Sequence, residues 1–120
     1  MTGATALTGG RPTWIEVDLD ILQANARQAC QMPGPGRVMA VVKADAYGHG
    51  AVATAKAFAR GGVAAFAVAL LEEALELREG GIGEPLVILG PLLGAQLPAA
   101  LELGAMISVY DFPIAEALEG

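Results

Sequence analysis

The sequence predicts an α/β fold in which helices cover a parallel β-sheet. Hydrophobic residues make up 54% of the chain and charged residues only 17%, a balance that suits a covered sheet better than a highly solvated module. Short apolar runs also alternate with amphipathic segments of helical period. Strict alternation of this kind implies right-handed crossovers between parallel strands.

The first predicted elements precede a proline- and glycine-rich turn. Residues 1–12 are rich in Thr, Gly and Ala, and we expect a flexible segment there. Thr13 to Val17 are predicted to form a short strand, and either Asp18 or Asp20 can cap the helix that follows. The Pro-Gly-Pro-Gly sequence at residues 33–36 ends that helix.

Four strand–helix units are predicted after this turn. Val38 to Val42, in the first strand, are an apolar run without alternation, as expected when both faces are covered. Glycines or prolines separate most of the elements. In chain order the pairs are Val38 to Lys43 with Gly50 to Arg60, Ala64 to Ala69 with Leu71 to Glu79, Leu86 to Leu89 with Gln96 to Leu103, and Ala105 to Val109 with a helix from about Pro113.

Composition narrows the class of function. The formal net charge is −6 and basic clusters are missing, so nucleic acid and anionic membrane are poor partners. No apolar run approaches the ~20 residues of a membrane-spanning helix, and residues 1–10 lack the pattern of a secretory signal. One His and one Cys cannot build a metal site, and the lone Cys30 fits a reducing cytoplasm.

The acidic residues of one predicted helix are interpreted as surface charges. The helix predicted at residues 71–79 carries a stripe of carboxylates, which the spacing places on a solvated face. The members of this stripe are Glu72, Glu73, Glu76 and Glu79.

Lys43 is the residue with the clearest chemical potential. It stands at the carboxyl end of a predicted strand, and Tyr47, Gly48, His49 and Gly50 follow in the next loop. Strand ends of this kind carry the chemistry of α/β barrels, and a lysine amine there can form a Schiff base with a carbonyl. Taken by position alone, such a lysine more often extends into water.

The segment from Ala40 to Gly50, with the sequence AVVKADAYGHG, resembles the lysine motif of the alanine racemase family. Weaker similarities surround it, so that the resemblance extends from about Trp14 to at least Gly90 in register. They lie at Glu16 to Asp20, Ala67 to Ala69, Glu72 to Arg78 and Val87 to Gly90. Asp45 stands where many members of the family have Asn.

The resemblance implies a TIM-type (β/α)8 barrel followed by a second, β-rich domain. A whole barrel needs ~250 residues, whereas this chain has 120. We therefore expect residues 13–120 to form the N-terminal portion of the barrel, about its first four βα units, without the C-terminal β domain. Alone, such a chain is expected to be inactive and prone to associate through its uncovered sheet.

The resemblance also assigns site residues. It implies that Lys43 holds pyridoxal 5'-phosphate covalently and moves the Cα proton of the substrate, that the Tyr47 hydroxyl reaches the cofactor phosphate, and that Leu89 lines the pocket. Tyr47 could instead be a half-buried aromatic residue with a local partner, and Leu89 an ordinary core residue. For His49 we predict a structural hydrogen bond or a position at the N-terminus of a helix. The second acid–base group is implied to be a tyrosine of the partner subunit's C-terminal domain.

The predicted function is interconversion of L-alanine and D-alanine for peptidoglycan synthesis, by a cytoplasmic homodimer. Three alternatives stay open: a non-enzymatic pyridoxal-phosphate-binding barrel of cofactor homeostasis, a Schiff-base aldolase without cofactor, and an interaction piece without chemistry. The sequence Tyr47-Gly48-His49-Gly50, in the loop that follows Lys43, favours the racemase.

Overall fold

A four-stranded parallel sheet forms the centre of the molecule. The computed structural model describes residues 2–4 and 12–120. The strands of the sheet are β3 (Met39–Val41), β4 (Ala65–Val68), β5 (Leu86–Ile88) and β6 (Met106–Ile107), in the spatial order β3-β4-β5-β6. Each strand therefore lies beside the next one in sequence, and all pairs are parallel. This arrangement confirms the predicted α/β fold of four strand–helix units.

Five helices accompany the strands in the described part of the chain. The helix Leu71–Glu79 has the predicted bounds, and the other helices begin and end close to their predicted bounds. A 3₁₀ turn at Gly94–Gln96 precedes the fourth helix. The helices are α1 (Leu19–Cys30), α2 (Ala51–Arg60), α3 (Leu71–Glu79), α4 (Leu97–Glu102) and α5 (Phe112–Glu119).

Of the two aspartates predicted to cap α1, Asp18 is the one that does so. Its Oδ1 accepts hydrogen bonds from the backbone amides of Asp20 and Ile21, at 3.0 and 3.1 Å. Both amides belong to the first turn, where no backbone acceptor is available.

A separate antiparallel pair precedes the parallel sheet. It consists of β1 (Thr2–Ala4) and β2 (Glu16–Asp18), so the strand predicted at Thr13 to Val17 begins later and stays outside the main sheet. Residues 2–4 belong to the segment predicted to be flexible, but they form β1 because β2 supplies backbone partners. The rest of that prediction, at residues 1 and 5–11, lies outside the described residues.

The core lies on one face of the parallel sheet, against the helices. The largest fully buried side chains include Phe66, Val68, Leu86 and Ile88 from the strands and Leu77 from α3. The opposite face is open: it exposes the side chains of Met39 (45%), Val41 (40%) and Met106 (49%). Coverage of both faces, as predicted for the run from Val38 to Lys43, is therefore wrong for this strand, because the described helices pack on only one side.

Arg78 links α3 to the loops at the amino-terminal side of the sheet. Its Nε donates to the carbonyl of Leu103 at 2.9 Å, and its Nη1 donates to the carbonyls of Ile82 and Glu84 at 2.8 and 2.7 Å. One guanidinium thus joins the ends of α3 and α4 to the segment that enters β5.

Candidate active site

Lys43 lies at the carboxyl end of β3, as predicted. The backbone amide of Val42 donates to the carbonyl of Ala67 at 2.9 Å, which extends the ladder one residue beyond β3, and the Val42 side chain is buried. Lys43 is the next residue and is partly exposed. Its amine makes no hydrogen bond or ion pair with residues 2–4 and 12–120, so this strand end presents an accessible primary amine.

Residues Ala44 to Tyr47 form a left-handed helical turn directly after Lys43. Their φ angles are 51°, 55°, 54° and 56°, and the ψ angles of the first three lie between 43° and 48°, close to the left-handed minimum. No other non-glycine residue in the described ranges has a positive φ. Each such residue costs roughly 1–2 kcal/mol, and strain of this kind clusters at functional sites. The sequence did not predict this turn.

Backbone hydrogen bonds and burial hold the left-handed turn. The amide of Ala46 donates to the carbonyl of Val42 at 3.0 Å, and the amide of Gly48 donates to the carbonyl of Ala44 at 3.2 Å. The Ala46 side chain is buried. Gly48 and Gly50 follow with φ angles of 93° and 92°, which only glycine adopts without strain.

Two further side chains fix the exit from the turn. Asp45 Oδ1 accepts from the backbone amide of Ala51 at 2.8 Å, at the first residue of α2. His49 Nδ1 donates to the carbonyl of Ala46 at 3.0 Å, and the His49 carbonyl accepts from the Thr54 hydroxyl at 3.4 Å. The structural hydrogen bond predicted for His49 is therefore confirmed.

Glu73 departs from the prediction of a solvated acidic stripe. Its Oε1 accepts from the amides of Ala69 and Leu70, both at 2.9 Å, and its Oε2 accepts from the amide of Ala44 at 2.6 Å. The prediction is wrong for Glu73 because the first turn of α3 lies beside the strand ends; it holds for the other three carboxylates, which are exposed. The position of Glu73, three residues after the N-cap Leu70, is the signal that could have revealed it.

The other predicted site residues also lie on the carboxyl side of the sheet. Tyr47 is 60% exposed and its hydroxyl has no partner in the described ranges, so it is not the half-buried aromatic residue that was considered. Leu89 is 37% exposed rather than a core residue. The Leu89 amide donates to the carbonyl of Val68 at 2.7 Å, and the Leu89 carbonyl accepts from the Tyr110 hydroxyl. No hydrogen bond joins Lys43, Tyr47 and Leu89 to one another. The contact of Tyr110 with Leu89 was not predicted from the sequence.

Open space flanks the left-handed turn on two sides. A cleft of about 530 Å³ is lined by Trp14, Ile15, Gly48 and His49, among others. A smaller cavity of about 150 Å³ is bordered by Val41 and Tyr47, among others. The motif after Lys43 is therefore accessible from solvent, which a site for a small ligand requires.

Two kinds of feature are absent from the part of the chain that the structure describes. Within it, no group of three or more His, Cys, Asp or Glu side chains is placed to hold a metal ion. None of its helices has the length and apolar character needed to cross a bilayer.

Comparisons with known proteins agree on one family. The family model described as "Alanine racemase, N-terminal domain" matches residues 17–120. The alanine racemase of Symbiobacterium thermophilum is 42% identical over 112 residues, which is 93% of this chain and 30% of that protein. The alanine racemase of Desulforamulus reducens is 40% identical over 108 residues, or 89% of this chain and 29% of that protein.

Solved structures of the same enzyme resemble the fold. The crystal structure of alanine racemase from E. faecalis has a TM-score of 0.77 and 40% identity, covering 86% of this chain and 27% of that one. The Bacillus anthracis enzyme, solved with bound L-Ala-P, has a TM-score of 0.79 and 36% identity, with the same coverage. This chain spans about 30% of the length of the relatives it matches. Its parallel sheet is part of a TIM-type barrel, and the chain belongs to the family of alanine racemase N-terminal domains.

Proposed function

We propose that this chain carries the cofactor lysine of a pyridoxal-phosphate-dependent alanine racemase. The observation that carries this proposal is the placement of Lys43, an accessible amine at a strand's carboxyl end, directly before a strained turn. The relatives that the chain matches are named alanine racemases, which favours racemisation over the non-enzymatic barrel and the aldolase. The proposed product, D-alanine, would serve peptidoglycan synthesis in the cytoplasm, and the proposed assembly is a homodimer.

The residues present fit the cofactor. Lys43 offers an amine without a competing partner in the described ranges, and its place on the carboxyl side of the sheet is where barrel enzymes bind their ligands. The exposed Tyr47 hydroxyl is free to donate to a phosphate oxygen. Leu89, partly exposed two strands away, offers an apolar contact for a ring. When bound, pyridoxal phosphate supplies an electron sink for negative charge at the substrate Cα.

Lys43 then has two roles in the proposed reaction. Its Nζ would hold the cofactor covalently at the strand end. On its own face of the substrate, Nζ would also remove a proton from Cα or return one. The left-handed turn fixes the backbone immediately after Lys43, and so the base from which its side chain extends.

The test is covalent capture of the cofactor. The chain is mixed with pyridoxal phosphate, its visible absorbance is recorded, borohydride is added, and the labelled peptides are mapped. The sequence contains only two lysines, Lys43 and Lys56, and Lys56 is exposed on α2, so it reports non-specific labelling. We expect labelling of Lys43 to exceed that of Lys56 at equal reagent. Equal labelling of the two lysines would contradict the proposal.

A further inference from the structure

Glu73 joins the turn that follows Lys43 to the end of the neighbouring strand. Its carboxylate binds the amide of Ala44 on one side and the amides of Ala69 and Leu70 on the other. We propose that Glu73 is a positioning residue, which holds the backbone of Lys43 in place by fixing the peptide bond after it. This inference rests on the proposed function of Lys43 as the cofactor lysine.

The hydrogen bond acts very close to Lys43. The amide nitrogen of Ala44 belongs to the same planar peptide unit as the Lys43 carbonyl carbon. Holding that nitrogen 2.6 Å from Glu73 Oε2 therefore constrains the plane attached to the Lys43 Cα. Because the Lys43 Cα lies in this same plane, a shift of the plane would displace the base of the lysine side chain relative to the sheet.

Helix capping accounts for only half of what Glu73 does. Its Oε1 accepts from the amide of Leu70, the N-cap of α3, and from Ala69, which is enough to begin the helix. Its Oε2 reaches Ala44, 29 residues earlier in the chain, and this bond is not needed to start α3. It instead opposes the strain of the left-handed turn, since a hydrogen bond to an ionised acceptor is roughly twice as strong as a neutral one.

A glutamine at position 73 separates the two roles. A carboxylate accepts on both oxygens, whereas an amide has one accepting oxygen and one NH₂ donor. In Glu73→Gln the oxygen can keep the cap at Ala69 and Leu70, but the NH₂ group then faces the Ala44 amide, which is also a donor. The matched control is Glu72→Gln, which makes the same charge change on an exposed residue of the same helical turn.

Two measurements on the full chain test the proposal. The first is hydrogen exchange, comparing the amide of Ala44 with those of Ala69 and Leu70. We expect Glu73→Gln to accelerate exchange at Ala44 by at least about tenfold, with a smaller change at Ala69 and Leu70, and Glu72→Gln to change neither. The second is borohydride capture of pyridoxal phosphate, in which the ratio of Lys43 to Lys56 labelling should fall toward one in Glu73→Gln. Reductive methylation with formaldehyde, a small probe, should still modify Lys43 fully.

The outcomes distinguish this inference from the proposed function. If wild-type chain labels Lys43 no better than Lys56, the cofactor assignment fails, whereas exchange at Ala44 still reports whether Glu73 holds the turn. Wild-type protection of Ala44 and wild-type labelling in Glu73→Gln would overturn the positioning role. If Glu73→Gln does not fold, as judged by circular dichroism, Glu73→Asp replaces it. Aspartate keeps the charge but is one methylene shorter, so it should retain the cap, lose the bond to Ala44 and give the same two changes.

Discussion

The carboxylate of Asp45 accepts a hydrogen bond from the backbone amide of Ala51, at 2.8 Å. Asp45 is the second residue after Lys43, and Ala51 is the first residue of α2. The N-cap of α2 is Gly50, which has no side chain to bind the free amides of the first turn. Asp45 therefore replaces the missing cap, and the loop that carries the proposed cofactor lysine also begins a helix.

The first prediction concerns this replacement cap. We expect Asp45→Ala to lower the free energy of unfolding by about 1 kcal/mol, the usual loss when a capping acceptor is removed. Asp45→Asn should stay within about 0.5 kcal/mol of wild type, because Asn offers the same acceptor oxygen. Urea denaturation of the three chains measures both effects. Equal losses in the two variants would show that charge, rather than the acceptor, is what matters.

The second prediction concerns the hand of the turn. Ala44 has a φ of 51° and is exposed, so Ala44→Gly should relieve strain and raise the free energy of unfolding by up to about 1 kcal/mol. Ala53→Gly, at an exposed position of the right-handed helix α2, should instead lower it by about 0.5–1 kcal/mol. Thermal melts of the two variants should shift in opposite directions. Two shifts of the same sign would argue against a strained turn.

The third prediction concerns the contact between α1 and the end of α2. A Cβ atom added at Gly61 would lie 2.7 Å from both the Ala26 Cβ and the Gln23 carbonyl oxygen. Gly61→Ala should therefore destabilise the chain by about 1–3 kcal/mol through overpacking. Gly83→Ala is the control, because no heavy atom lies within 4 Å of its Cβ position, and a change within about 0.5 kcal/mol is expected there. Chemical denaturation distinguishes the two.

The fourth prediction concerns the guanidinium of Arg78. Lysine cannot reproduce the geometry of its three hydrogen bonds to the carbonyls of Leu103, Ile82 and Glu84, because a guanidinium donates from separate nitrogens in a rigid fork whereas all the donors of an ammonium lie on one nitrogen. Arg78→Lys should cost about 1–3 kcal/mol of unfolding free energy. Arg60→Lys, which removes one exposed hydrogen bond to Gln23, should cost less than about 0.5 kcal/mol. A loss at Arg60 as large as that at Arg78 would contradict this account.

Regular elements could be predicted from the sequence because their patterns are local. The helix Leu71–Glu79 lies between a leucine and a glycine pair, and its bounds were predicted as observed. Lys43 was placed correctly at a strand end, since an apolar run stops there. The open face of β3 was not predicted, because an apolar run cannot tell whether Met39 and Val41 will be covered.

The features that were missed depend on contacts between distant parts of the chain. Ala44 to Tyr47 contain no glycine, so nothing local indicates positive φ angles. In the folded chain they coincide with burial of Ala46 and with the bond from Ala44 to Glu73. Glu73 is one of four glutamates on the same helix, and residue type alone does not distinguish it from the three that are exposed. Only the position of α3 beside the strand ends sets it apart, and that position is a property of the packed sheet.

The left-handed turn also limits how this segment can change over evolutionary time. At positions 44–47 a β-branched residue would be strongly disfavoured by the backbone alone, whatever reaction the neighbouring lysine performs. A substitution there must therefore suit the backbone conformation, whatever its effect on the chemistry. A variant can leave every reacting atom in place and still be selected against, because it strains the turn that follows Lys43.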